Sequence, residues 1–132
     1  MERDPLFADP RLAFVRTRLE NNGSMGASRS DVYPGWVDIV AELDAEIAKI
    51  EPAYILDQVK EKFGGLRYYV RTTPETSEQI QELIRAAEER ASRTCQICGQ
   101  PGRAAIGGFG FYMTRCDDDL PADAKIYNPE EL

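Results

Sequence analysis

Apolar positions recur every three or four residues in three stretches of the chain and every second residue in one, and this change of period predicts its organisation. Leu12, Phe14, Val15 and Leu19 follow Asp9 and Pro10, a capping residue and a first-turn proline, and predict a helix over 10–19. The turn formers and short polar residues from Asn21 to Ser30 predict a loop. Pro34 opens the clearest helical pattern, carried by Trp36, Ile39, Val40, Leu43, Ile47 and Ile50 and closed by Pro52. From Ile55 to Thr73 the period falls to two, and two β-rich runs meet at Gly64-Gly65, a pair suited to a hairpin turn that needs positive φ. A turn there sets Phe63 opposite Leu66, Glu61 opposite Tyr68 and Val59 opposite Val70. Val59, Phe63, Leu66, Tyr68 and Val70 then face the helices. Pro74 to Ser77 caps a last helix, whose stripe of Ile80, Leu83, Ile84, Ala87 and Ala91 leads to Cys95.

These elements predict a small α+β domain of about three helices, a β-hairpin and a C-terminal zinc-ribbon-like knuckle. At 132 residues there is material for one sizeable core. The division expected is a body over 1–93, a knuckle over 94–119 packed on it and an acidic tail over 120–132. No apolar run approaches the roughly 20 residues that cross a bilayer, and Met-Glu-Arg-Asp-Pro lacks the basic flank and apolar stretch of a leader. Neither export nor membrane insertion is expected. The formal charge of −7 works against non-specific attraction to nucleic acid or anionic membrane, though it leaves room for a local basic patch. The chain has no histidine, which removes the commonest general base, the Ser-His and Cys-His nucleophile pairs and every His-containing metal site.

The three cysteines read as metal chemistry in a reducing, cytoplasmic setting. In Cys95-Gln96-Ile97-Cys98-Gly99 two thiolates on one tight turn can reach one ion, and the glycine relaxes the backbone after the second. Cys116 follows Cys98 after 17 intervening residues, within zinc-ribbon spacing. The fourth cysteine of that pattern belongs at position 119, where this chain has Asp119. A carboxylate oxygen is a legitimate zinc ligand, so Asp119 is the expected fourth donor, with Asp117, Asp118 or a water as alternatives. Zn2+ is the expected ion, although sulfur-rich ligation also admits iron. A redox C-x-x-C should open a helix after a strand, whereas this one follows a helix and precedes the turn sequence Gly-Gln-Pro-Gly.

Two surfaces stand out. The outer side of the hairpin carries Gln58, Lys60, Lys62, Arg67, Tyr69 and Arg71, with Lys62 opposite Arg67 in the expected register. Like charges across a ladder are unfavourable, so this face either meets acidic side chains or receives an anion. On the long helix Asp38, Glu42 and Glu46 recur every four residues and form an acidic stripe, either solvated or open to a basic partner.

The run Gln58-Val59-Lys60-Glu61-Lys62-Phe63-Gly64-Gly65-Leu66-Arg67-Tyr68-Tyr69-Val70 is specific in combination with Met25, Gly35-Trp36, Thr94-Cys95-Gln96-Ile97-Cys98-Gly99-Gln100-Pro101-Gly102 and Thr114-Arg115-Cys116-Asp117. Over roughly 25–119 the chain resembles a family of small uncharacterised proteins of tailed phages and prophages. That family carries a cysteine or histidine where Asp119 stands here. The resemblance implies a phage accessory protein acting in the bacterial cytoplasm. The reading it leads to is a zinc-stabilised binding module that engages a host or phage protein. The alternatives are a nucleic-acid binder using Lys60, Lys62, Arg67, Tyr69 and Arg71, and a small enzyme with an open zinc site.

Overall fold

The computed structural model describes residues 5–22 and 29–131. Residues 23–28 of the expected loop, including Met25, and Leu132 of the expected tail lie outside the described residues. A helical turn that the apolar pattern does not predict, α1 (Pro5–Ala8), precedes the first expected helix. There the Asp9 carboxylate accepts from the Arg11 N–H at 2.9 Å, Pro10–Leu12 forms a 3-10 turn and α2 runs over Ala13–Asn21. Leu12, Val15 and Leu19 are buried and Phe14 points to solvent. A second 3-10 turn, Pro34–Trp36, leads into α3 (Val37–Ile50), which stops where Glu51 becomes extended ahead of Pro52.

Strands β1 (Ile55–Lys62) and β2 (Gly65–Arg71) form the antiparallel hairpin, but its turn lies one residue earlier than the sequence predicts. Phe63 and Gly64 occupy it, with φ of 54° and 81°, as a two-residue turn with both central residues at positive φ requires. The Gly64-Gly65 turn is thereby corrected: Gly65 opposes Lys62, Leu66 opposes Glu61 and Tyr68 opposes Val59. Phe63 leaves the inner face and packs edge-on against Tyr112, with 5.6 Å between ring centroids. The cause is tertiary. Gly64 lies against the Met113 backbone, where a Cβ would stand 2.9 Å from the Met113 nitrogen, so the glycine is needed at the point of contact. An irregularity between Leu56 and Gln58 shifts the register at the other end of β1 and brings Leu56 inward opposite Val70.

Helix α4 (Pro74–Ala91) packs on α3 and on β2. Leu56, Val59, Leu66 and Tyr68 join Val37, Val40, Leu43, Ile47, Ile80 and Ile84 in one core. Beyond α4, β3 (Arg103–Ile106) and β4 (Tyr112–Arg115) form a second antiparallel hairpin. Residues 125–126 of the expected tail form β5 (Lys125–Ile126), which pairs with β3 and gives the order β4-β3-β5. The molecule is thus a small mixed α+β domain with a cysteine cluster at the base of its C-terminal sheet. Among the described residues, no helix is long and apolar enough to cross a membrane.

Candidate functional site

The C-terminal sheet is attached to the body through the cysteine turn itself. Gln96, almost fully buried, donates its backbone N–H to Thr114 O at 2.9 Å and accepts the Thr114 N–H on its side-chain oxygen at 2.7 Å. Its own carbonyl accepts the Gly35 N–H at 2.9 Å. A Cβ on Gly35 would overlap the Cys95 carbonyl and come within 2.7 Å of Gly99 N, so the start of the long helix and the knuckle approach backbone to backbone. Beside this contact the buried Trp36 indole donates to Thr94 O at 3.0 Å. Within the turn Gly99 N–H donates to Cys95 O at 2.9 Å, and Gly99 adopts φ 82°.

This frame brings together the four residues that the sequence nominated. One ligand atom from each of Cys95, Cys98, Cys116 and Asp119 lies within 4.8 Å of every other, an arrangement that could hold a metal ion. Cys98 Sγ and Cys116 Sγ are 3.5 Å apart, and Asp119 Oδ2 lies 3.2 Å from Cys116 Sγ and 3.4 Å from Cys95 Sγ. Asp119 reaches in because Asp117–Asp119 forms a 3-10 turn directly after Cys116. Asp117 turns outward to Arg103, 2.6 Å away.

The electrostatics suit a cation. Thiols of Cys116, Cys95 and Cys98 donate toward the Asp119 carboxylate and, with Arg115 nearby, hold it below the usual carboxylate range. The same carboxylate pushes the Cys116 thiol up to about 12. Burial works against a thiolate at Cys95, but the N–H groups of Cys98, Cys116 and Ile97 aim at its sulfur and bring its pKa down. At Cys98 the Gln100 N–H and the Cys116 side chain favour the thiolate, but burial and the hydrogen bonds with Cys95 and Asp119 outweigh them and raise the pKa. A cation among these donors would reverse the repulsion. Arg115 donates from Nη1 to Asp119 O at 3.3 Å, while its buried Nε has no hydrogen-bond partner among the described residues.

The two surfaces fare differently. In the acidic stripe each carboxylate meets a cation: Asp38 meets Arg11, which it shares with Asp9, at 2.6 Å, Glu46 meets Lys49 at 3.1 Å and Glu42 meets Arg90. On the hairpin the expected opposition of Lys62 and Arg67 is corrected to Lys60 and Arg67, because the earlier turn moves β2 along β1. Arg71 is engaged by Asp57 at 3.0 Å and Asn22 at 2.7 Å. Lys60, Lys62 and Arg67 form no ion pair within 4.0 Å among the described residues, and Tyr69 is exposed beside them.

Sequence reasoning passed over the β3–β4 loop, where Phe109 is 91% and Phe111 69% exposed. The signal was present, since phenylalanines set among Gly107, Gly108 and Gly110 have no core to enter. It also passed over a buried polar network in the body. Asp44 accepts from Arg18 Nε and Tyr54 OH, both at 2.6 Å, and the Tyr54 and Tyr68 hydroxyls are 2.5 Å apart. Comparison of the chain with protein families, with curated proteins and with solved structures finds no match.

Proposed function

We propose that the chain is a non-catalytic binding module of the phage or prophage type, working in the bacterial cytoplasm, in which Zn2+ is a structural ion. The observation that carries this reading is the spacing of the four donors. A tetrahedral zinc with Zn–S near 2.3 Å and Zn–O near 2.0 Å needs S···S of about 3.8 Å and S···O of about 3.5 Å. One sulfur–sulfur edge of 3.5 Å and two sulfur–oxygen edges of 3.2 and 3.4 Å lie close to those values, and all four donors lie within 4.8 Å of one another. Four protein donors fill a tetrahedral shell, which favours a structural ion over an open, water-activating one. Bound there, the ion would tie the cysteine turn to β4 and so fix the C-terminal sheet on the body.

The partner we propose is a macromolecule that meets the outer hairpin face. With Asp38, Glu42 and Glu46 paired to Arg11, Arg90 and Lys49, the hairpin cations that form no ion pair among the described residues are Lys60, Lys62 and Arg67, and their face suits an anionic surface. An acidic host or phage protein meets that requirement, and nucleic acid does so as a second reading. Metal analysis by elemental mass spectrometry on untagged protein tests the core of the proposal. One zinc per chain, lost in Cys98→Ser and bound more weakly in Asp119→Ala, is expected. Metal-free wild-type protein after purification with zinc present would overturn it, and iron in its place would reassign the ion.

A further inference from the structure

The hairpin's basic face does not end at its turn. Lys62 Nζ lies 5.8 Å from the centre of the Phe63 ring. Phe63 packs edge-on against Tyr112, and Tyr112 packs edge-on against Tyr127 at 5.8 Å. Across the C-terminal sheet Ile106 pairs with Tyr112 on one side and Lys125 on the other. Lys125 is exposed and, like Lys60, Lys62 and Arg67, forms no ion pair among the described residues. Cations and rings therefore follow one another from Lys60 and Arg67, through Lys62 and Phe63, to Tyr112, Tyr127 and Lys125, with Glu89 and Glu130 lining the groove beside Phe63 and Tyr127.

We infer that this strip binds single-stranded nucleic acid, with bases on Phe63 and the adjoining tyrosines and phosphates on Lys60, Lys62, Arg67 and Lys125. Rings accept any base by stacking, and lysines at strand spacing track a backbone, which is the combination that sequence-tolerant single-strand binders use. A duplex hides the faces of its bases, so it gains nothing from the rings. The net charge of −7 on the whole chain then opposes its closer-packed phosphates. An acidic protein surface would satisfy the lysines but gives no reason for a row of three rings continuing from them. The register shift matters here, because it is what takes Phe63 out of the core and places it beside Lys62 and Tyr112.

The inference rests on the zinc-structured binding module proposed above, and metal content measured on the same preparation separates the two. The experiment is fluorescence anisotropy of the zinc-loaded full chain with labelled oligothymidylate and oligouridylate of about 12 nucleotides and with a duplex of the same length. Binding of either single strand in preference to duplex is expected, and the two single-stranded arms tell DNA from RNA. The affinity should fall with salt with a logarithmic slope of about −2 to −3, given three or four phosphate contacts. Phe63→Ala should weaken binding about 10-fold, in line with the loss of one stacked base. A Lys60→Glu, Lys62→Glu double variant should abolish binding, and Phe109→Ser, off the strip, should leave it unchanged. No binding by protein that carries its zinc would overturn the inference, leave the module reading standing and return an acidic protein as the partner. Equal affinity for duplex, or indifference to Phe63→Ala in a variant shown to be folded, would overturn it too.

Discussion

At the scale of single residues, the positions that matter most are those where two backbones meet or a charge is buried. Gly35 has no room for a methyl group, because a Cβ would run into the cysteine turn's backbone at Cys95 and Gly99. Gly35→Ala should therefore cost about 3 kcal/mol in urea unfolding and should weaken metal binding as well, since it pushes the knuckle off its seat. Asp44 is a different case. Its carboxylate is buried between Arg18 and Tyr54, and removing it leaves the Arg18 guanidinium without its counter-charge in the interior. Asp44→Ala should cost about 3–5 kcal/mol, whereas Glu42→Gln, which breaks an exposed pair on the same helix, should cost under about 1 kcal/mol. The apolar pattern made Leu43 and Ile47 legible as core residues. It could not announce a charged residue beside them, because Arg18 and Tyr54 become neighbours of Asp44 only when the chain folds.

At the scale of elements, the hairpin is where local preference and tertiary contact disagree. Two consecutive glycines are the locally obvious turn, yet the fold places Phe63 at φ 54° and spends Gly64 on the contact with Met113. The shift in register near Asp57 is likewise held from outside β1: Arg71 reaches across from β2, and Asn22 from the end of α2 donates to Asp57 at 2.7 Å. Burial at Asp57 favours the neutral acid, but Arg71 and Asn22 outweigh it and set its carboxyl below the ordinary value. The folded pKa is thus lower than the unfolded one, and the contribution to stability is present above about pH 4 and lost as the pH falls through the folded value. The pair is largely solvent-exposed, so the difference between wild type and Asp57→Asn should be no more than about 1 kcal/mol at neutral pH. It should vanish in acid, as urea unfolding between about pH 2 and 7 would register. Helix α4 is also capped from another element. Its Thr73 N–H donates to Glu51 Oε1 at 3.1 Å, and the Thr76 hydroxyl donates to the same oxygen at 2.6 Å.

At the scale of the whole molecule, a body with its own apolar core carries a C-terminal sheet that meets it through polar backbone contacts around the cysteine turn and through the hairpin turn, where Gly64 abuts Met113 and Phe63 packs on Tyr112. Removing the zinc proposed above should loosen the second part and spare the first. With a zinc chelator present, amide exchange should speed up across β3, β4 and β5 while α3, α4 and the inner hairpin strands stay protected. Trp36 should report the change by fluorescence, because its indole donates to the carbonyl just before Cys95. Loss of protection throughout the chain would mean that the core, too, depends on the ion.

The α+β organisation, the helices over most of their length and the grouping of Cys95, Cys98, Cys116 and Asp119 into a cluster that could hold a metal ion were legible in the sequence. Periodicity, caps and short-range spacing are local quantities that a chain displays without folding. The hairpin register, the neutralisation of Asp38, Glu42 and Glu46, the seating of the cysteine turn on Gly35 and the aromatic row from Phe63 to Tyr127 were decided by tertiary structure. Each depends on which distant segments come to lie within a few ångströms of one another, and where such a contact competes with a local preference, as at Gly64, the contact prevails.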